Sequence, residues 1–312
     1  MQSSAEIMTP ADAVTTLDGA VVASRSLAHV RSVARDYLSL TKPRIIVLLV
    51  ITEVATMVMA ARGIPSLALV FWAALGGALA SGGSGAINCW YDRDIDRVMA
   101  RTCTRPLPSG RIVPWQALTF GGSLITASVI VFILAVNAVA AALALGGAVF
   151  YVFIYTMVLK RTTPLNIVIG GAAGAFPPLV GWAAVRGDVG WPALALFAVV
   201  FLWTPPHFWS LALLLRKDYR AANVPMLPGL ISTASTYRRI ILYTIALVVA
   251  SLLPGLVFGG GYAVAVGFLG VCYLALAGWA RVNGTPRAAA LLFHFSLAYL
   301  ALVFVAGAIA AS

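Results

Sequence analysis

LGGALASGGSGAINCWYDRDIDRVMARTCTRPLPSGRI, residues 75–112, opens as an uncharged run of small and apolar residues and becomes densely charged. That change reads as the end of a membrane helix running into a polar loop. Asn88, Asp92 and Asp96 recur every four residues across the boundary. Four residues rise about 6 Å and turn slightly more than once, so one helix face carries a ladder of three oxygen-bearing side chains. Amide and carboxylate oxygens are the ligands a hard ion such as Mg²⁺ takes, commonly with phosphate oxygens completing the shell. Asp94 points away from the ladder, toward solvent or Arg97. Arg93, Arg97, Arg101, Arg105 and Arg111 stand in the same segment. Acids for a metal and arginines for phosphate, joined to a lipid-soluble body, indicate chemistry on a lipid diphosphate. The alternative is a solvated helix end whose acids pair with local arginines, but three acids within five residues are a large share of the ten in the chain.

The rest of the 312 residues agrees with a membrane setting. The chain is 61% hydrophobic and 10% charged, with mean hydropathy +0.96, which excludes an ordinary soluble domain. Nine apolar stretches, at about 45–61, 67–87, 115–135, 138–158, 166–185, 191–215, 239–258, 261–280 and 289–310, are long enough to span or nearly span a bilayer. The fold class expected is all-α, a polytopic bundle of nine helices around a central cavity. The net charge of +11 is topology, not affinity for nucleic acid: nineteen of the 21 Lys and Arg fall in alternate loops, leaving Arg62 and Arg186 on the other face. By the positive-inside rule the N-terminus is cytoplasmic and the C-terminus external. Residues 1–36 lack the apolar core of a signal peptide and read as a disordered cytoplasmic tail, with residues 37–312 as the membrane domain. Cys89, Cys103 and Cys272 show no metal-type spacing, and no disulfide is expected.

Two long loops on the basic face, about 90–113 and 216–237, are candidates for function. The second begins inside WTPPHFWSLALLLRKDYRAANVPMLP, residues 203–228. Asp218 there can complete a metal site from across the cavity, with Lys217, Tyr219 and Arg220 toward diphosphate; simple flanking charge is the other reading. His207 is either a satisfied bundle histidine or a substrate contact. Lys160 and Arg161 are anchors or phosphate clamps. Glu53, in mid-helix, has no evident partner. The pairs Pro177-Pro178 and Pro205-Pro206 must break backbone hydrogen bonding within their helices, which favours a central cavity beside them; simple kinks are the other reading. Trp90, Tyr91, Trp203, Phe208 and Trp209 are either cation-stabilising walls or an interfacial belt.

These segments, with YLSLTKPR (37–44), LKRTTPLNIVIGGAAGAFPPLVGW (159–182) and FHFSLAYLALVF (293–304), resemble the UbiA superfamily of intramembrane prenyltransferases. TPPHFW and DYRAANVPMLP are similar to its heme-farnesylating branch in particular. The resemblance implies a nine-helix bundle that holds farnesyl diphosphate through Mg²⁺ and uses heme b as acceptor. It implies metal contact by Asn88, Asp92, Asp96 and Asp218, and substrate contact by Arg97, Arg101, Arg105, Lys160, Arg161, His207, Lys217 and Tyr219. Here the second motif carries one acid, Asp218, preceded by Lys217. Asn223 stands where the family has Gly, at a position suited to left-handed backbone. Implied partners are the lipid bilayer and heme A synthase or oxidase assembly proteins. An aromatic prenyltransferase of quinone-precursor type and a transporter are the competing readings; charge clustered at one face rather than the midplane disfavours the transporter.

Overall fold

A computed structural model describes residues 29–312. Among them nine helices are long and apolar enough to cross a membrane. They are α1 (Pro43–Ala61), α2 (Leu67–Tyr91), α3 (Pro114–Ala135), α4 (Ala138–Thr162), α5 (Asn166–Arg186), α6 (Trp191–Leu214), α7 (Thr233–Phe258), α8 (Gly260–Asn283) and α9 (Pro286–Ala311). The apolar runs therefore set the helices. Local signals set their ends: Pro at the first turn of α1, α3, α6 and α9, and Ser66, Asn137, Ser232 and Thr285 side chains capping α2, α4, α7 and α9.

Small residues let the helices meet backbone to backbone. The most extensive pairing is α2 with α3. At its crossing, a methyl on Gly83 would stand 2.5 Å from the Gly121 carbonyl oxygen. Ser128 of α3 donates to the Gly76 carbonyl at 2.7 Å, closing the same seam. A second core runs through α5, α6, α7, α8 and α9, with Trp203, Trp209, Tyr237, Tyr273 and Tyr299 in it.

Three features extend the sequence reading. α5 and α6 continue as helices through Pro177-Pro178 and Pro205-Pro206, although each proline lacks the N–H of an intrahelical bond. Pro178, Pro205 and Pro206 are buried among neighbouring helices, where a helix bearing proline is held by its packing. Second, the last part of α4, Phe150–Leu159, winds as a π-helix. Third, of the proposed disordered tail, residues 1–28 lie outside the described residues, whereas 29–36 are helical within a helix over 29–40. Leu40 at its end packs with Ala86 and Cys89, and Asp36 pairs with Arg111 at 2.9 Å, which anchors the helix to the first loop.

Candidate active site

The ladder is buried. Asn88, Asp92 and Asp96 are 4%, 2% and 4% exposed, although they stand where a helix leaves the apolar region. α2 ends at Tyr91, Asp92 forms the joint, and a short helix, Arg93–Val98, carries Asp96. Helical backbone bonds run across the joint, from Asp92 N–H to the Asn88 carbonyl at 2.9 Å and from Asp96 N–H to the Asp92 carbonyl at 2.8 Å. The four-residue spacing thus keeps its geometry through the change of helix. Asn88 Nδ2 donates to Asp92 Oδ2 at 2.8 Å and to Thr156 Oγ1 at 3.0 Å.

Cations close over these oxygens. Lys42 Nζ donates to Asn88 Oδ1, and Lys160 Nζ to Asp92 Oδ2. Arg105 Nη1 meets Asp96 Oδ2 at 2.8 Å, and Arg161 Nη2 lies 3.6 Å from Asp92 Oδ1. Burying acids at this depth requires such pairing. Asp94 faces solvent, as the helical offset predicts, but pairs with Arg161 rather than Arg97, through two bonds of 2.8 Å. That bidentate hydrogen bond holds its carboxyl down at about 2. Arg161 also lies over the Tyr91 ring, and Arg93 over Trp90, so both rings are covered by guanidinium groups.

The second loop packs beside the first. Tyr219 is buried with Ile95, Met99 and Met226 in one apolar cluster that Tyr155 and Phe208 border. Burial raises its phenol above the ordinary value, against the opposing field of Arg101. Asn166 at the start of α5 holds the loop through the Pro225 carbonyl at 3.4 Å. Asn223 adopts φ 53°, the left-handed conformation foreseen for it. Asp218 is half-buried and forms no ion pair or side-chain hydrogen bond with the ladder; Lys217 is exposed beside it. Arg216 bonds Thr233, and Arg220 bonds the Gly229 carbonyl, so both brace their own loop. Arg97 and Arg101 are exposed at the edge of the site. His207 is not with the acids. It stacks between Trp203 (4.1 Å) and Phe293 (4.7 Å), with Nδ1 2.7 Å from Ser296 Oγ. Trp203 is fixed there by donating to the Ser296 carbonyl at 2.7 Å.

Of the predicted residues, one cluster unites Asn88, Asp92, Asp96, Arg105, Lys160 and Arg161. Two further members escaped the sequence reading. Lys42 was counted only as a topology charge, yet its backbone is left-handed (φ 57°, ψ 61°) just before Pro43, an unfavourable geometry for Lys. Thr156 had no local signal at all; the π-helical stretch of α4 is what turns it to Asn88.

The donor set suits Mg²⁺. Its ligating atoms are all oxygens, and buried Asp92 Oδ1 accepts no hydrogen bond. Among the described residues no three His, Cys, Asp or Glu side chains converge on one point, so phosphate or water oxygens would have to complete the shell. Asp218 in particular does not close such a group with Asp92 and Asp96. Two clefts, of about 320 and 400 Å³, lie elsewhere, against α7 and α3; the expected central cavity is not either of them.

Known proteins resemble the chain in sequence and in fold. The UbiA prenyltransferase family model covers residues 48–310. A protoheme IX farnesyltransferase from Roseiflexus sp. (strain RS-1) is 49% identical over 280 residues, 89% of this chain and 52% of that protein. One from Frankia casuarinae is 50% identical over 284 residues, 89% of this chain and 98% of that protein. The chain thus spans about half the length of the first relative and nearly all of the second. Among solved structures, a digeranylgeranylglyceryl phosphate synthase superposes with a TM-score of 0.74 at 19% identity, covering 90% of this chain and 99% of that one. A UbiA homolog from Archaeoglobus fulgidus bound to GPP and Mg²⁺ gives 0.66 at 16% identity, covering 87% and 99%. At those identities the structures speak for the fold. The family match over nearly the whole chain, on a nine-helix frame with this ladder at a helix end, makes the chain a member of the UbiA prenyltransferase family.

Proposed function

We propose that this chain transfers the farnesyl group of farnesyl diphosphate to a vinyl group of heme b, giving heme O. The observation that carries the reading is the buried cluster in which Asn88, Asp92 and Asp96 meet Lys42, Lys160 and Arg105. The choice of acceptor rests on relatives at about half identity that carry the name protoheme IX farnesyltransferase.

Asn88, Asp92 and Asp96 would hold Mg²⁺, which would supply Lewis-acid stabilisation of the leaving diphosphate. Lys42, Lys160 and Arg105 now neutralise the ladder; with substrate present their charges are free to turn to diphosphate oxygens. Arg161, Arg97, Arg101 and Lys217 supply further positive charge at the rim. Asp218, Lys217 and Tyr219 of the second loop, which packs beside the first, face the same anion in this reading. Burial makes the contacts of the ladder stronger than in water, and such preorganised charge commonly supplies the largest share of catalysis. The C1–O bond breaks, diphosphate leaves with the electron pair, and the allylic cation is attacked by the vinyl π bond. Water then adds to the new cation and loses a proton, giving the hydroxyethylfarnesyl group. His207, held by Ser296 between two aromatic rings, is the candidate contact for the heme side of the cavity.

The positive-inside pattern supports a cytoplasmic N-terminus and a site facing the cytoplasm, in the inner membrane of a bacterium. Heme A synthase or oxidase assembly proteins are the natural recipients of the product. Purified protein in lipid nanodiscs, given farnesyl diphosphate and Mg²⁺, is assayed with heme b and separately with 4-hydroxybenzoate. Heme O is expected from the first, and its loss in Asp92→Ala and Asp96→Ala. Prenylation of the benzoate alone would replace the heme reading with an aromatic one, and full activity of either variant would sink the metal assignment.

A further inference from the structure

Arg238 and Arg239 stand side by side where the polar start of α7 gives way to its apolar run, and both are exposed. Neither forms an ion pair or a side-chain hydrogen bond among the described residues. The other arginines around the second loop are committed within the protein, Arg216 to Thr233 and Arg220 to the Gly229 carbonyl. Two neighbouring guanidinium groups repel, and at a membrane boundary they attract anionic headgroups. Flanking charge that sets topology accounts for arginines at this end of the bundle, but not for what surrounds these two.

They line the cleft of about 320 Å³ that the start of α5, Trp209 of α6 and the first turns of α7 form together. That is the lower end of the range small-molecule sites occupy, a volume for a headgroup rather than a whole lipid. No acid lines it, so the two charges meet no carboxylate there. Its wall is aromatic. Trp209, 1% exposed, meets Tyr243 edge to face, with ring centroids 5.3 Å apart and planes at 90°. The Tyr243 hydroxyl, bonded to nothing among the described residues, is a further donor. Such amphipathic rings belong at the level of lipid headgroups.

An outward face of α7 continues the cleft into the apolar region. Leu242, Ile245, Val249 and Leu252 follow Arg238 at intervals of four, three, four and three residues, and all are exposed. That spacing puts them on one helix face, so a guanidinium heads a row of bare apolar side chains. A cation, an aromatic ring and an apolar track in line repeat the order of a phospholipid: phosphate, glycerol backbone, acyl chain. A free phosphate ion would use the cations and have no use for the track.

We infer that this cleft is a binding site for an anionic phospholipid, its phosphate held by Arg238 and Arg239 and an acyl chain laid along Leu242, Ile245 and Val249. Guanidinium groups meet phosphate oxygens through paired N–H donors, and the two positive charges favour a headgroup of net negative charge over one that carries its own ammonium. None of these residues belongs to the oxygen ladder or to its cations, so the inference stands apart from the prenyltransferase reading.

Native mass spectrometry of the detergent-purified protein, titrated with dioleoyl phosphatidylglycerol and separately with dioleoyl phosphatidylcholine, measures the affinity. Each cation at a headgroup is worth about fivefold, so the two together are worth on the order of 25-fold. The double variant Arg238→Gln, Arg239→Gln is expected to bind phosphatidylglycerol at least about tenfold more weakly than wild type. The double variant Arg281→Gln, Arg287→Gln, which removes two charges from the same end of the bundle, is expected to stay within about threefold. Arg238→Gln alone, with an expected fall of about fivefold, serves should the first double variant not accumulate. Phosphatidylglycerol should also stay bound in excess inorganic phosphate. Equal falls in the two double variants would reduce the effect to net charge and overturn the site. Equal affinity of wild type for the two lipids would overturn it as well, and displacement of the lipid by inorganic phosphate would make the cleft a site for the free ion.

Discussion

Lys160→Met separates a working cation from a topology anchor. Lys160 and Asp92 form a pair whose side chains are 16% and 2% exposed. Removing one member of a buried pair leaves the other uncompensated, at about 3–5 kcal/mol. The value here belongs near the lower figure, because Lys160 keeps some contact with solvent and Arg161 stands 3.6 Å from the other carboxylate oxygen. A fall in stability of about 3 kcal/mol is therefore expected, read as a lower unfolding temperature in detergent. If the same ammonium turns to diphosphate in the reaction, a second loss follows: removing one preorganised donor from a developing anion costs about 10²–10³ in kcat, or about 2.7–4 kcal/mol. The Mg²⁺ requirement should move the opposite way, toward lower concentration, since a cation competing for Asp92 is gone. Arg161→Gln is the control. It loses a pair with 61% exposed Asp94, worth about 0–1 kcal/mol at the surface, and the longer 3.6 Å approach to Asp92, so its fall in stability should be smaller than that of Lys160→Met. Diphosphate release by purified protein in nanodiscs, with protein amount normalised to the folded fraction, measures all three quantities. A Lys160→Met protein that is destabilised yet turns over within threefold of wild type would refute the catalytic part and leave Lys160 a structural counter-ion.

The remaining expectations are simpler. Gly83→Ala sets a methyl 2.5 Å from the Gly121 carbonyl, where neither backbone can yield cheaply, so α2 and α3 must separate at about 1–3 kcal/mol, visible as a lower unfolding temperature. The two loops should respond to pH in opposite senses. The Asp94 carboxyl lies at about 2, below its unfolded 3.8, so its small contribution is complete above 3.8 and lost as pH falls toward 2. The Tyr219 phenol is raised above 10.0, chiefly by burial, so the packing of the second loop should weaken as pH rises past 10.0, and Tyr219→Phe should remove that alkaline loss. Unfolding temperature against pH measures both; a Tyr219→Phe curve identical to wild type above 10.0 would contradict the burial.

The sequence makes the nine helices legible because a bilayer imposes length and hydropathy on every span, and those are local properties. The Asn88-Asp92-Asp96 spacing is legible for a related reason: periodicity fixes which side chains share a face, and the face survives the change of helix at Asp92. That the prolines of α5 and α6 leave backbone bonds unmade is a local inference, whereas the continuation of the helix is set by packing, with Pro205 and Pro206 buried inside α6. For His207 the sequence leaves two readings open for the same reason. Its partners, Phe293 and Ser296, arrive from α9, close to ninety residues along the chain. Asp94 reached for Arg161 across the site instead of Arg97 on its own turn, since a guanidinium that meets both carboxylate oxygens outcompetes a helical neighbour.

What no pattern shows is the backbone that brings Lys42 and Thr156 to Asn88. Lys42 reaches it from a left-handed residue immediately before Pro43, and a preceding proline already narrows what that residue can adopt. Thr156 reaches it because α4 adds a residue to each turn over Phe150–Leu159. Both are unfavourable local choices, and they converge on the same amide. Local costs retained at one point are the mark of a site whose geometry is held by the rest of the fold. The π-helical stretch also sets the register of Lys160 on Asp92, directly after its last turn. A change that restored ordinary α-winding there would rotate Thr156 and Lys160 off the ladder together, so their losses should not add. Deleting one residue within 150–159 is therefore expected to match the Thr156→Val, Lys160→Met double variant in turnover. Turnover well above that of the double variant would show that the winding of α4 is incidental to the site.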